Sequence, residues 1–463
     1  MKQRHLLFVI FLAWSTASGS SIRVFLRWDL KTAPPPGLPG VAGLAVPWYQ
    51  GNDLMESVTE AGYRVYYLIS PGDVGGTVAA LGHRRLSGIL IGSEDLREAM
   101  KAELQARWQV PASIEVSVAW QTGHFPGILS NSVQKKDGVL QIAAASSQPW
   151  IESNQAAAEI LKQVHPGNSF LYYSWPEDVG QPASVENYLL AIAEAGACGT
   201  DLILPLGREF QESLVLRKPD AERQWRQIAA YIEAYSRHQP RDYRRPDNVV
   251  VVAEDFENWH ELLKLLSRYN VPFQLVPRRG LTDCPASTPR GLVLFLAVPD
   301  SSEIKRLEDL LNRGFSAFVT LEAKGRLHWS KKPSALQESD DSASYRLGKG
   351  RVVELYGSGI DPNALALDVR RILGNERRPI QLWNALTVLA SLYREESGVL
   401  LYLTNYALSP QLVQARVAGR FSKIECIRPE EGKVEELSFE RDNDFTGFTV
   451  PGVKIGTIVY LRR

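Results

Sequence analysis

Two glutamates stand where chemistry would need them: Glu94 in LIGSED and Glu177 in LYYSWPED. Each follows a short apolar run. Two carboxyls facing one another across a glycosidic bond can cleave it. One stays protonated and donates to the leaving oxygen; the other attacks the anomeric carbon or activates water. Glu177 is the stronger candidate, because Trp175 and Pro176 precede it and hold it near an aromatic face. The plainer reading is a solvated loop acid or a partner for arginine, and Asp178 competes for the same role. Glu94 opens a helix, where the macrodipole favours an acid with no further function. The same dipole depresses its pKa, which suits a nucleophile better than a general acid.

Other polar and aromatic groups fall at comparable places. Arg27, Trp28 and Asp29 end one apolar run, and Trp48 and Tyr49 end the next. Trp120 and His124 follow a later one, in WQTGHFPG; Gln148 and Trp150 stand in SSQPW; Arg208 and Glu209 follow the last. Aromatic faces among hydrogen-bonding groups suit a carbohydrate cleft. They serve equally as packing under a neighbouring unit. The Arg27–Asp29 pair either binds sugar hydroxyls or locks the loop KTAPPP.

The elements that must position these residues recur in a rhythm. From Ile22 to Leu206 there are eight apolar runs: Ile22–Trp28, Val41–Val46, Arg64–Ile69, Gly88–Ile91, Ile114–Ala119, Val139–Ala143, Phe170–Tyr173 and Leu202–Leu206. Nearly all are separated by stretches with helical spacing, such as EDLREAMKAELQARW and SVENYLLAIAEAGA. Eight buried strands alternating with helices predict a closed (β/α)8 TIM barrel over 21–240, whose chemistry gathers at the C-terminal ends of the strands.

RHQPRDYRRPD is basic and lacks an apolar period, so it reads as a linker. Strands at Asn248–Ala253, Phe273–Val276, Leu292–Val298 and Phe318–Leu321, with helices between, predict a small flavodoxin-like α/β domain over 247–375. It has no glycine-rich phosphate loop and no nucleophile elbow, which leaves it a structural or subunit-assembling role. Residues 325–345 are polar and read as a loop. Short strands with turns between them over 379–463 predict an antiparallel β-sandwich.

Composition bounds the function. Lys+Arg and Asp+Glu are each 52 in 463 residues, so the net charge is zero. That argues against non-specific nucleic-acid binding and against docking on anionic membranes. MKQRH, a short apolar run and STASGSS make residues 1–20 a secretory signal peptide, and no later segment reads as membrane-spanning. The expected location is secreted or periplasmic, with no membrane insertion after cleavage. Cys198, Cys284 and Cys426 are scattered and odd in number, so they read as buried thiols. Seven histidines without metal-ligand spacing give no metal site and no cofactor. No G-x-S-x-G elbow points to an esterase.

The order barrel, small α/β domain, β-sandwich resembles the family 42 glycoside hydrolases, the β-galactosidases with a trimerisation domain. SYRLGKGRVVELYG is similar to the segment that follows their α/β domain. VLLYLTNYA and GFTVPGVKIGTIVYL look like the close of their sandwich. The resemblance implies an acid/base glutamate after the fourth strand and a nucleophile after the seventh, which fall here on Glu94 and Glu177. The family's Asn-Glu is Ser93-Glu94 here. The expectation is an exported protein acting on an oligosaccharide or glycan by a retaining mechanism, with homo-oligomers built through the α/β domain. The alternative is a catalytically silent carbohydrate-binding or scaffold protein on the same barrel.

Overall fold

The computed structural model describes residues 22–48, 52–69, 87–92, 94–108, 115–122, 125–129, 133–136, 139–142, 150–164, 169–173, 183–240, 244–246, 248–278, 291–322, 327–330, 334–357 and 359–463. The expected signal peptide lies outside these. Among the described residues no helix is long and apolar enough to cross a membrane.

The first unit carries strands β1 (Val24–Arg27), β2 (Gly43–Pro47), β3 (Val65–Ile69), β4 (Gly88–Ile91) and β5 (Glu115–Thr122). Then come β6 (Gly127–Leu129), β7 (Val133–Lys136), β8 (Val139–Ile142), β9 (Trp150–Glu152), β10 (Ser169–Tyr173) and β11 (Asp201–Pro205). Strands β1–β5, β10 and β11 are all parallel and close into a barrel, with β10 bonded directly to β5. The helices of this unit are α1 (Asn52–Glu60), α2 (Glu94–Trp108), α3 (Gln155–Val164), α4 (Val185–Cys198), α5 (Arg208–Val215) and α6 (Pro219–Arg237).

The barrel therefore has seven staves, not the expected eight. The run Val139–Ala143 is not a stave. Its β8 pairs antiparallel with β7, Lys136 opposite Val139, across Asp137-Gly138. Asp-Gly between short strands is a strong signal for a two-residue hairpin, and local pairing wins over a place in the barrel.

Alternation decides what each barrel residue does. Phe25, Ala45, Tyr66, Leu90, Ala119, Phe170, Tyr172 and Ile203 form one interior cluster. Phe25 meets Tyr66 and Phe170 edge-on, with centroids 4.6 and 5.0 Å away. These rings fit because Gly43 and Gly88 give way. A Cβ on Gly88 would stand 2.3 Å from Tyr66 Cε1 and 2.6 Å from the Glu115 carbonyl oxygen. Gly88→Ala should thus destabilise the protein by about 1–3 kcal/mol, as overpacking of a filled core does, measured as a lowered urea midpoint at unchanged slope.

Charge closes the N-terminal end of the barrel. Arg23 donates to Asp201 and Glu115, both at 2.8 Å, and the Tyr66 hydroxyl donates to Glu115 at 2.8 Å. Burial opposes ionisation of Glu115, but Arg23 and Tyr66 outweigh it and lower its pKa. The opposite end is left for chemistry.

The second unit holds β12 (Val249–Ala253), β13 (Gln274–Pro277), β14 (Leu292–Phe295), β15 (Ser316–Leu321), β16 (Ser334–Glu338), β17 (Ser342–Leu347) and β18 (Gly350–Tyr356). With them run α7 (His260–Arg268), α8 (Ser301–Asn312) and α9 (Pro362–Arg377). The sheet order is β13-β12-β14-β15-β18-β17-β16, its first five strands parallel. The stretch expected as a loop over 325–345 instead carries β16 and most of β17, an antiparallel extension of that sheet. Its Ser/Asp-rich sequence hid the strands, because β16 is exposed along its whole length and has no apolar face to read.

Nine antiparallel strands end the chain: β19 (Ile380–Trp383), β20 (Val388–Glu395), β21 (Gly398–Asn405), β22 (Gln411–Ala418), β23 (Lys423–Arg428), β24 (Lys433–Glu436), β25 (Phe439–Asp442), β26 (Phe445–Val453) and β27 (Gly456–Arg462). They form sheets of four and five strands that share one core. The outer face of the five-stranded sheet packs on the barrel through Tyr393, Leu400 and Tyr402, the last stacked on Tyr235 of α6 at 5.8 Å.

Candidate functional site

At the C-terminal mouth of the barrel, inward alternation continues from Phe25 to Arg27. Arg27 Nε donates to Asp29 at 3.0 Å, and its Nη1 donates to the Tyr172 hydroxyl. Its guanidinium also lies 5.8 Å from the centre of the Tyr172 ring. Burial works against the charge of Arg27, but Tyr172 and Asp29 more than compensate, so it holds its proton more tightly than a free arginine. Both members of the pair remain partly open, at 32% and 27% side-chain exposure.

The loop from β11 into α5 supports this group. The Asp29 amide donates to Gln211 Oε1 at 2.9 Å, and Gln211 Nε2 donates to the Leu206 carbonyl at 2.7 Å. Gln211 is fully buried. Gly207 donates its amide to the Tyr188 hydroxyl at 2.9 Å, and Tyr188 stacks on Phe210. First and last staves are thereby tied together at the mouth, and Asp29 is fixed by backbone as well as by its carboxylate. The Arg27–Asp29–Tyr172 group offers donors and acceptors to a polar ligand. It offers no titrating pair.

The remaining expected residues scatter. Trp28 does not face the mouth: one residue past an inward position, it points out of the barrel, is fully buried, and donates its indole N–H to the Thr32 carbonyl at 2.7 Å. It locks the proline-rich loop. Trp48 also lies on the outer side, edge-on to Tyr67 at 5.0 Å. Trp150 is 43% exposed but sits on β9, outside the barrel sheet, under Arg268 of α7 with a 5.1 Å separation. Arg208 is exposed and pairs with Glu212 at 3.1 Å, and Glu209 is exposed in the first turn of α5. Glu94 begins α2 directly after β4, as expected, though its side chain lies outside the described residues. So do the Trp120 side chain, Tyr49, His124, Gln148, Trp175, Glu177 and Asp178. Among the described residues no cluster of His, Cys, Asp or Glu could hold a metal.

Two groups escaped the sequence reading. Tyr172 is the inward neighbour of Arg27, and alternation from Phe170 would have found it. Glu194 on α4 is a fully buried carboxyl that accepts from Ser153, the Asn154 amide, Tyr173 and Tyr406. Burial pushes its pKa up against those donors. Tyr173 reaches it because it points outward where Tyr172 points inward. This group joins barrel to sandwich and is remote from the mouth. Cys198 and Cys426 are buried free thiols, pushed up by burial to about 12 and about 11, and so unreactive; Cys284 lies outside the described residues.

No family model matches the chain, and no curated protein matches it in sequence. Solved structures with a similar course are glycosidases at low identity. A catalytic mutant of Gan42B, a GH42 β-galactosidase from G. stearothermophilus, is 9% identical at a TM-score of 0.42, over 80% of this chain and 67% of that one. The rhamnosidase from Novosphingobium sp. PP1Y is 12% identical at 0.42, over 89% and 38%. The β-galactosidase from Bacillus circulans sp. alkalophilus is 10% identical at 0.38, over 89% and 67%. The chain thus spans about two thirds of these galactosidases and little more than a third of the rhamnosidase.

Proposed function

We propose that this protein is a glycoside hydrolase-like protein that takes an oligosaccharide or glycan at the C-terminal mouth of its barrel. One observation carries the reading: a closed parallel barrel is sealed by charge at its N-terminal end and opens at the other on Arg27, Asp29 and Tyr172. Around that opening the chain places carboxyls after β4 and β10, Glu94 and Glu177. In the mechanism proposed, Glu177 is the nucleophile and Glu94 the acid/base. A carboxyl separation of about 5–5.5 Å makes the reaction retaining, and about 6.5–9.5 Å inverting. The protein is exported through residues 1–20. The strand order of the middle unit supports a flavodoxin-like domain, and subunits would assemble through it.

The test is release of nitrophenol from a panel of aryl glycosides by the mature protein. Turnover of at least one is expected. Glycan binding without any turnover would favour the silent carbohydrate-binding reading instead. One observation favours that second reading: the Arg27–Asp29 pair satisfies itself without a ligand.

Arg27 separates binding from folding. Its pair with Asp29 is partly solvated, so Arg27→Gln should cost no more than about 1 kcal/mol of stability. It should raise KM by about tenfold, the worth of one charge-assisted hydrogen bond to substrate. Michaelis curves beside a thermal melt check both.

A further inference from the structure

A second cavity lies away from the mouth, where the barrel, the linker and the middle unit meet. Its volume is about 320 Å3, and Glu159, Lys162, Gln163, Arg244, Arg245 and Gln274 line it. Lys162 and Gln163 end α3, which leads back to the N-terminal end of β10. The linker supplies Arg244 and Arg245, and β13 supplies Gln274.

The chemistry of the walls is unspent. Arg245 is buried, with 7% side-chain exposure, and uses only Nη2, toward Glu159 at 2.8 Å and the Tyr393 hydroxyl at 3.4 Å. Its buried Nε–H has no acceptor in the protein. The carboxamides of Gln163 and Gln274 line the same cavity, and neither has a hydrogen-bond partner among the described residues. A guanidinium edge is matched by the paired oxygens of an oxyanion, and two amides beside it suit further oxygens. The cavity falls in the size range of small-ligand sites, about 300–1,000 Å3, which are found preferentially between domains.

We infer that this junction is a binding site for a small oxyanion, a carboxylate, sulfate or phosphate, held by the Nε edge of Arg245 with Gln163 and Gln274 beside it. The group arrives either as a free inorganic ion or on a sugar acid, and the space admits one monosaccharide.

Calorimetric titration and thermal melts of the full chain, at constant ionic strength in chloride, test it with phosphate, sulfate, glucuronate and glucose as probes. Saturable one-to-one binding of phosphate, sulfate or glucuronate is expected, with a raised Tm and none for glucose. Tighter binding of glucuronate identifies the sugar-borne group; binding of phosphate or sulfate alone identifies the free ion. Arg245→Lys keeps the charge and loses the fork. It should weaken binding by about tenfold or more, as losing a hydrogen bond to a charged group does. Where that variant fails to fold, Gln274→Leu, on an exposed-side lining residue, should weaken binding in the same direction. No saturable binding of any anion, or unchanged affinity in Gln274→Leu and in any folded Arg245→Lys, overturns the site.

Discussion

Replacing Arg245 by Met should destabilise the protein by about 3–5 kcal/mol, the cost of stranding a buried charge without its partner. Glu159 is that charge. It is only 13% exposed in its side chain, and it binds Arg245 at 2.8 Å and Lys162 at 2.7 Å. Lys162 also donates to the Cys198 carbonyl at 2.8 Å, and the Tyr393 hydroxyl donates to the Ala197 carbonyl at 2.8 Å. One cluster thus fastens α3, α4, the linker and the sandwich together. Removing both charges, as Arg245→Met with Glu159→Leu, should recover much of the loss, because the desolvation cost disappears with the pair.

The same cluster sets a pH dependence. Burial would raise the pKa of Glu159, but Arg245 and Lys162 outweigh it and hold the carboxyl below its ordinary value of 4.5. A lowered folded pKa means stability that is present above 4.5 and lost as pH falls through the folded value. Glu194, whose pKa is raised, acts with the opposite sign, favouring the fold at low pH and less so as pH rises above 4.5. Urea midpoints followed from neutral to acid pH should fall more shallowly in Arg245→Met, which has already lost the main partner of Glu159. A midpoint in Arg245→Met within about 1 kcal/mol of the parent, the range of exposed pairs, would contradict the clamp.

The second large effect is on turnover. Glu177→Gln keeps the size and polarity of the side chain and removes only its charge and proton chemistry. Loss of a positioned acid or base costs about 10²–10⁴-fold, and a lost nucleophile should sit at the upper end of that range. Glu94→Gln separates the roles. Without a proton donor, substrates with poor leaving groups should suffer most, while activated aryl glycosides, which need little protonation, should still form the glycosyl-enzyme. Rates measured across leaving groups of graded acidity give the slope for each variant. Equal loss on all leaving groups in Glu94→Gln would remove it from the acid role.

Sequence pattern located the staves well where both faces are buried. Val24–Arg27 and Asp201–Pro205 are apolar runs that packing on both sides demands. It failed at Val139–Ala143, where the run of apolar residues was weighed and the Asp137-Gly138 turn was not. Trp28 and Trp48 show a second limit. Standing at a strand end does not decide which side of the wall a residue takes; alternation does, and it puts Arg27 and Tyr172 inside and both tryptophans outside. Arg245 shows the third. Within RHQPRDYRRPD nothing distinguishes a buried arginine from its exposed neighbours. Its burial follows from Glu159 on a distant helix, a relation that exists only after the units pack.

The central claim is that a carboxylate at the end of β10 attacks the sugar. The direct measurement is covalent trapping. A 2-deoxy-2-fluoro glycoside with a good leaving group, built on whichever sugar the protein cleaves, is incubated with the mature chain, and the labelled peptide is mapped by mass spectrometry. The account predicts time-dependent inactivation with one sugar attached to Glu177. A label on any other residue, or continued turnover without a trapped sugar, would contradict it.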